Sequence, residues 1–125
     1  MLEHIEDDRL EFATAYEHLR PGGHLAILCP AHAYLLSPFD KAIGHFRRYD
    51  KKMYRALSAR QPVRMEYLDS AGMLASLANK LLLKRPFPSK EQVLFWDARL
   101  VPVSRVVDPL LAHSLGKSIL GVWRK

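Results

Sequence analysis

Nine residues, Gly44 to Lys52 (GHFRRYDKK), place one histidine, two aromatics and four cations side by side. Arg47 and Arg48 could each grip a carboxylate, phosphate or carbonyl group through a planar guanidinium. His45 could take up a proton near neutral pH, and Phe46 and Tyr49 could stack on the arginines. Three uses fit this composition: a solvated helix face, a nucleic-acid patch and a loop that holds a substrate. Glu3 and His4 add a second chemistry-bearing pair in the acidic stretch LEHIEDD at 2–8. Cys29 and His32 form a C-x-x-H pair. No second pair stands at ligand spacing, so no metal site is expected. Ser37 and Ser70 lack a nucleophile-elbow context, and a nucleophilic triad has no support.

The elements that must position these groups follow from periodicity and breakers. Asp8 and Glu11 make a capping-box-like start, with Phe12, Ala15, Tyr16 and Leu19 at helical spacing behind them. That helix stops at RPGG, where Pro21 cannot extend it and two glycines permit the reversal. HLAILCP then reads as a strand at 24–29 buried on both faces. Residues 31–49 read mostly as loop, with a short helical turn near 39–43. Asp50 caps a helix over 51–60 whose inner face carries Met53 and Leu57. PVRMEYLD alternates as a strand at 63–68, with Val63, Met65 and Tyr67 on one side. SAGMLASLANKLLLK is helical, with Leu74, Leu77, Ala78 and Leu81 as its apolar stripe. KRPFPS is a turn, residues 90–112 form one long helix or two pieces broken near Pro102 and Pro109, and the chain ends in a strand at 117–123.

At 125 residues the chain is one domain. Its apolar content of 49% and charged content of 26% are those of a globular protein rather than a disordered one. The net charge of +6 favours an anionic partner without choosing one. A single cysteine excludes an intrachain disulfide and suits the reducing cytoplasm. Met1 leads directly into an acidic stretch, so no signal peptide is expected. The apolar tracts at 71–83 and 92–112 are both interrupted by charges, which argues against a spanning helix. No recognised motif accompanies the basic cluster, so nucleic acid is not the expected partner.

Three landmarks in order, LEHIEDD at 2–8, LRPGGHLAILCPA at 19–31 and GHFRRY at 44–49, resemble the second half of a class I S-adenosylmethionine-dependent methyltransferase of the type 11/12 group. The resemblance covers essentially the whole chain. It implies an α/β fold, the C-terminal half of a Rossmann-like methyltransferase domain, with three strands of which the last is antiparallel and lies between the other two. It implies methyl transfer from S-adenosylmethionine to a small or lipid-linked acceptor. Glu3, His4 and Ile5 would line the methionine side of the cofactor pocket. Arg47 and Arg48 would grip the acceptor, and His45 and Tyr49 would orient it or act on it. Where an acceptor proton must leave, His45 and His4 are both candidate bases. The chain has six glycines and no GxGxG turn, the feature that approaches the cofactor in such folds. It is therefore expected to lack the N-terminal cofactor-binding half, as a truncated fragment inactive by itself, a miscalled start or a degenerate relative.

Two consequences concern partners. Strand 24–29 would be left as an exposed edge, inviting self-association. The leucine-rich segment 73–83, beside Lys80, Lys84 and Arg85, reads first as a helix covering the sheet or lidding an apolar substrate. The alternative is a basic, non-catalytic module lying on an acidic membrane or a protein partner.

Overall fold

In the computed structural model, which describes residues 2–78 and 89–125, three strands form one open sheet in the order β1-β3-β2. They are β1 (His24–Pro30), β2 (Arg64–Leu68) and β3 (Ser118–Arg124), and β3 runs antiparallel to both neighbours. The register runs from His24 opposite Arg124 to Pro30 opposite Ser118, and from Arg64 opposite Val122 to Leu68 opposite Ser118. All three strands lie within one residue of their sequence-predicted bounds, and the expected order is observed. The result is a mixed helix–sheet fold.

One sheet face carries the core. Ile27, Cys29, Ile119 and Trp123 point into it, under α1 (Asp8–Glu17) and α3 (Lys51–Ala56). Phe12 of α1 meets the Trp123 ring edge-on at 4.9 Å, and Tyr54 of α3 lies 5.6 Å from it. Gly121 makes this approach feasible: a Cβ there would fall 2.5 Å from the Trp123 ring and 2.6 Å from that of Tyr54. The continuous apolar run of β1 implied burial on both faces. Instead β1 alternates, with Leu28 exposed, because the described helices covering this strand stand on one side only.

Two caps refine the sequence reading. Asp7, not Asp8, caps α1 by accepting the Leu10 N–H at 3.0 Å. Asp50 caps α3 as expected, but that helix ends at Ala56 and buries Tyr54 and Leu57. Val63 is exposed and stands just before β2.

The remaining helices are α4 (Ser70–Ala78), α5 (Lys90–Phe95) and α6 (Val101–Leu110), with a π-helical turn over Trp96–Leu100 joining the last two. The helix is thus continuous past Pro102. The Val101 N–H reaches back five residues to the Trp96 carbonyl, and this widened turn accommodates the missing proline N–H.

Polar contacts tie the start of α4 to α6. Asp108 accepts the N–H groups of Asp69 and Ser70 at 2.7 and 3.0 Å. The Ser104 hydroxyl donates to Asp69 at 2.8 Å and accepts the Ala71 N–H at 3.1 Å. This turns Gly72 and Met73 inward and corrects the expected stripe: Leu74 is 64% exposed. Leu81, Lys80, Lys84, Arg85 and most of the KRPFPS turn lie outside the described residues. On α6 the usual amphipathic arrangement is inverted, with Ser104 and Asp108 inside and Val103, Val106 and Leu110 outside. No helix among the described residues is long and apolar enough to cross a membrane.

Candidate functional site

β1 ends at Pro30, and the chain beyond it is stitched to the GHFRRY segment. The Tyr49 N–H donates to the Pro30 carbonyl and the His32 N–H to the Tyr49 carbonyl, both at 2.9 Å, forming a parallel bridge between Ala31 and Tyr49. The N-terminal segment closes onto the same place. A short 3-10 turn, Leu2–His4, sends the Glu3 carbonyl to the Phe46 N–H at 2.7 Å. The Tyr49 hydroxyl donates to Asp8 at 2.9 Å. Segments some forty residues apart in sequence therefore meet at the carboxyl end of β1.

Asp40 is the hub of this meeting. It sits in α2 (Pro38–Ala42), whose start is fixed by a reciprocal capping box with Ser37. Only 1% exposed, its carboxylate accepts from Arg48 Nε and a terminal guanidinium nitrogen at 3.1 and 3.0 Å, from the Ser37 N–H and hydroxyl, and from His45 Nδ1 at 2.9 Å. Burial pushes the Asp40 pKa up, but these bonds outweigh it and hold the value at about 2.

The hub fixes the histidines. Ionised Asp40 can only accept, so His45 carries a proton on Nδ1, and the neutral ring then has its lone pair on Nε2. His4 Nδ1 lies 3.2 Å from the Gly44 carbonyl, also an acceptor only, so the neutral His4 ring likewise has its lone pair on Nε2. Gly44 stands at φ +79, a left-handed conformation that glycine adopts without strain, and this turns its carbonyl toward His4. Both Nε2 atoms lie 3.9 Å from Glu3 Oε1, and the two imidazole rings pack edge-to-face at 4.7 Å. Glu3 and His45 are largely buried, while the His4 side chain is 46% exposed and forms the solvent side of the cluster.

The expected site residues are thus brought together, in different postures. Glu3, His4 and His45 converge; Ile5 packs half-buried against the core. Arg47 pairs with Asp8 at 2.7 Å and donates to the Glu6 carbonyl. Arg48 is buried on Asp40 and the Ala31 carbonyl. Tyr49 is fully buried, and burial together with the adjacent Asp8 raises its pKa. Both guanidiniums and the phenol thereby fasten the loop from within. Sequence reasoning missed Asp40 and Asp8 as the partners of these cations. The S-x-x-D spacing of Ser37 and Asp40 was the available signal for the first. Cys29 is buried beside this region, and burial pushes its thiol to about 11, which disfavours thiolate chemistry.

A hollow of about 130 Å³, lined by Leu2, Phe12, Leu25 and Ile27 among others, opens beside the strand edge of β1 that β3 does not occupy. No protein-family model and no curated protein matches the sequence.

Proposed function

We propose that this α/β unit is the C-terminal, acceptor-holding half of a Rossmann-like S-adenosylmethionine-dependent methyltransferase acting on a small or lipid-linked acceptor. The observation that carries the reading is the convergence of LEHI and GHFRRY on the carboxyl end of β1. The strand order β1-β3-β2 is the one the resemblance implied, which supports the same reading.

The donor sulfonium supplies an already activated methyl group, so the protein's main task is alignment of the acceptor at near-attack distance. On this reading Glu3, His4 and Ile5 line the methionine end of the donor. The chain contains no Gly-rich turn, so it acts with a donor-binding half that these residues do not include. His45 is the better base of the two histidines: Asp40 holds its tautomer and would stabilise the imidazolium that forms. Arg48 positions Asp40, and Arg47 and Tyr49 pin the loop to Asp8. The test is to read the genome upstream of the Met1 codon and titrate the in-frame extended polypeptide with S-adenosylmethionine. Binding by the extended form and none by the 125-residue chain is expected. An upstream frame without a Gly-rich turn, or no binding by either polypeptide, refutes the reading.

A second reading, a basic non-catalytic module on a membrane surface, is favoured by the inverted α6. Its apolar side chains face outward, Leu110 at 80% exposure, on a chain of charge +6. Co-sedimentation with phosphatidylserine vesicles, lost in a Val106→Ser/Leu110→Ser variant, is the result this reading requires; no pelleting removes it.

A further inference from the structure

We propose that Glu3, His4 and His45 form a binding site for a divalent transition-metal ion of the zinc class. One ligand atom from each residue falls within 4.8 Å of the others. Their arrangement is specific: Glu3 Oε1 stands 3.9 Å from both Nε2 atoms, the nitrogens that carry the lone pairs in the neutral rings. A tetrahedral ion with metal–nitrogen distances of about 2.0–2.1 Å holds its ligand atoms roughly 3.3–3.4 Å apart, so the ligand atoms, now within 4.8 Å of one another, must draw together on binding. His4, on the exposed side of an N-terminal turn, can supply that movement.

The surroundings are those of a supported metal site. His45 Nδ1 donates to the Asp40 carboxylate at 2.9 Å, and His4 Nδ1 to the Gly44 carbonyl at 3.2 Å. Such outer bonds fix ring orientation and make the opposite nitrogen a better ligand. Asp40 and Arg48 pair with one another beside the cluster at 2.9 Å, and the Glu3 carboxylate faces both rings. Two imidazoles and one carboxylate suit zinc, cobalt(II) or iron(II), whereas magnesium and calcium prefer all-oxygen shells. Three protein ligands leave a position open for water or an acceptor oxygen, reached past the exposed His4. The sequence pointed away from any metal because the ligands come from residues 3, 4 and 45, with no short spacing to betray them. When the ion is bound, both Nε2 lone pairs are committed to it, and the base role given to His45 belongs to the metal-free protein. The site does not depend on the methyl-transfer reading.

The test titrates cobalt(II) into the untagged, full 125-residue chain and follows the visible ligand-field bands, with zinc chloride as competitor. One equivalent of cobalt is expected, displaced by one of zinc. His4→Ala, at an exposed position that leaves the fold intact, should abolish the bands, and Glu3→Gln should weaken binding strongly. Asp40→Asn keeps all three ligands and should weaken binding about 10–100-fold. His24→Ala, at the far end of β1, should bind like the parent. No saturable uptake, several weak sites, or equal binding by His4→Ala and the parent overturns the proposal. No methyl donor is present, so this outcome and that of the donor titration are read separately.

Discussion

Removing the Asp40 carboxylate should be among the most damaging single changes in the molecule. Asp40→Ala leaves the buried Arg48 guanidinium without its counter-ion, and deprives Ser37 and His45 of their acceptor. Breaking one partner of a buried ion pair costs roughly 3–5 kcal/mol, a large part of the about 5–15 kcal/mol that holds a typical domain together. Urea unfolding followed by far-ultraviolet circular dichroism measures it. Asp40→Ala/Arg48→Met should recover at least about 1 kcal/mol, since the stranded charge is gone. The pH dependence follows from the same carboxyl. Its pKa is about 2 in the fold against an ordinary 3.8, a difference worth roughly 2 kcal/mol. A depressed pKa stabilises the fold above the unfolded value, so the contribution is complete above about pH 4 and is lost as pH falls through 2. Asp40→Asn should flatten the stability profile in that window. A loss below about 1 kcal/mol in Asp40→Ala, the worth of an exposed pair, would refute the hub.

Other changes test the packing and the edge. Gly121→Ala pushes a methyl into the Trp123 and Tyr54 rings and should cost about 1–3 kcal/mol in the same urea assay. Tyr49→Phe removes the hydroxyl from Asp8 and should cost about 1–2 kcal/mol; an unchanged midpoint would show that this bond does not fasten the loop. The edge of β1 that no strand among the described residues occupies, beside the apolar hollow, should drive concentration-dependent association in sedimentation velocity, and Leu28→Lys at this outward position should reduce it. A monomer at every concentration removes that inference.

The strands were legible because each is a contiguous run with its own breakers. The cores of α1 and α3 were legible in part, through Phe12, Tyr16 and Leu57 at helical spacing. The α4–α6 pair was not. Ser104 and Asp108 look like solvent-facing residues in a helical pattern, yet they satisfy the backbone at the start of α4, and the valines are turned out in exchange. The arginines looked like a patch because one of their partners, Asp8, lies 39 residues away. Local spacing carries capping and periodicity, and it cannot carry contacts made by the closing of β1 against the N-terminal turn. The site residues themselves were recognisable by type, but their convergence is a property of topology.

The central claim is that the carboxyl end of β1 is the working edge of this protein. It is tested most directly by amide and imidazole chemical-shift mapping of the extended polypeptide with S-adenosylhomocysteine. Shifts concentrated at Glu3, His4, Ile5 and His45 are the predicted result. Shifts confined to α5 and α6, with those four residues unmoved, would contradict it.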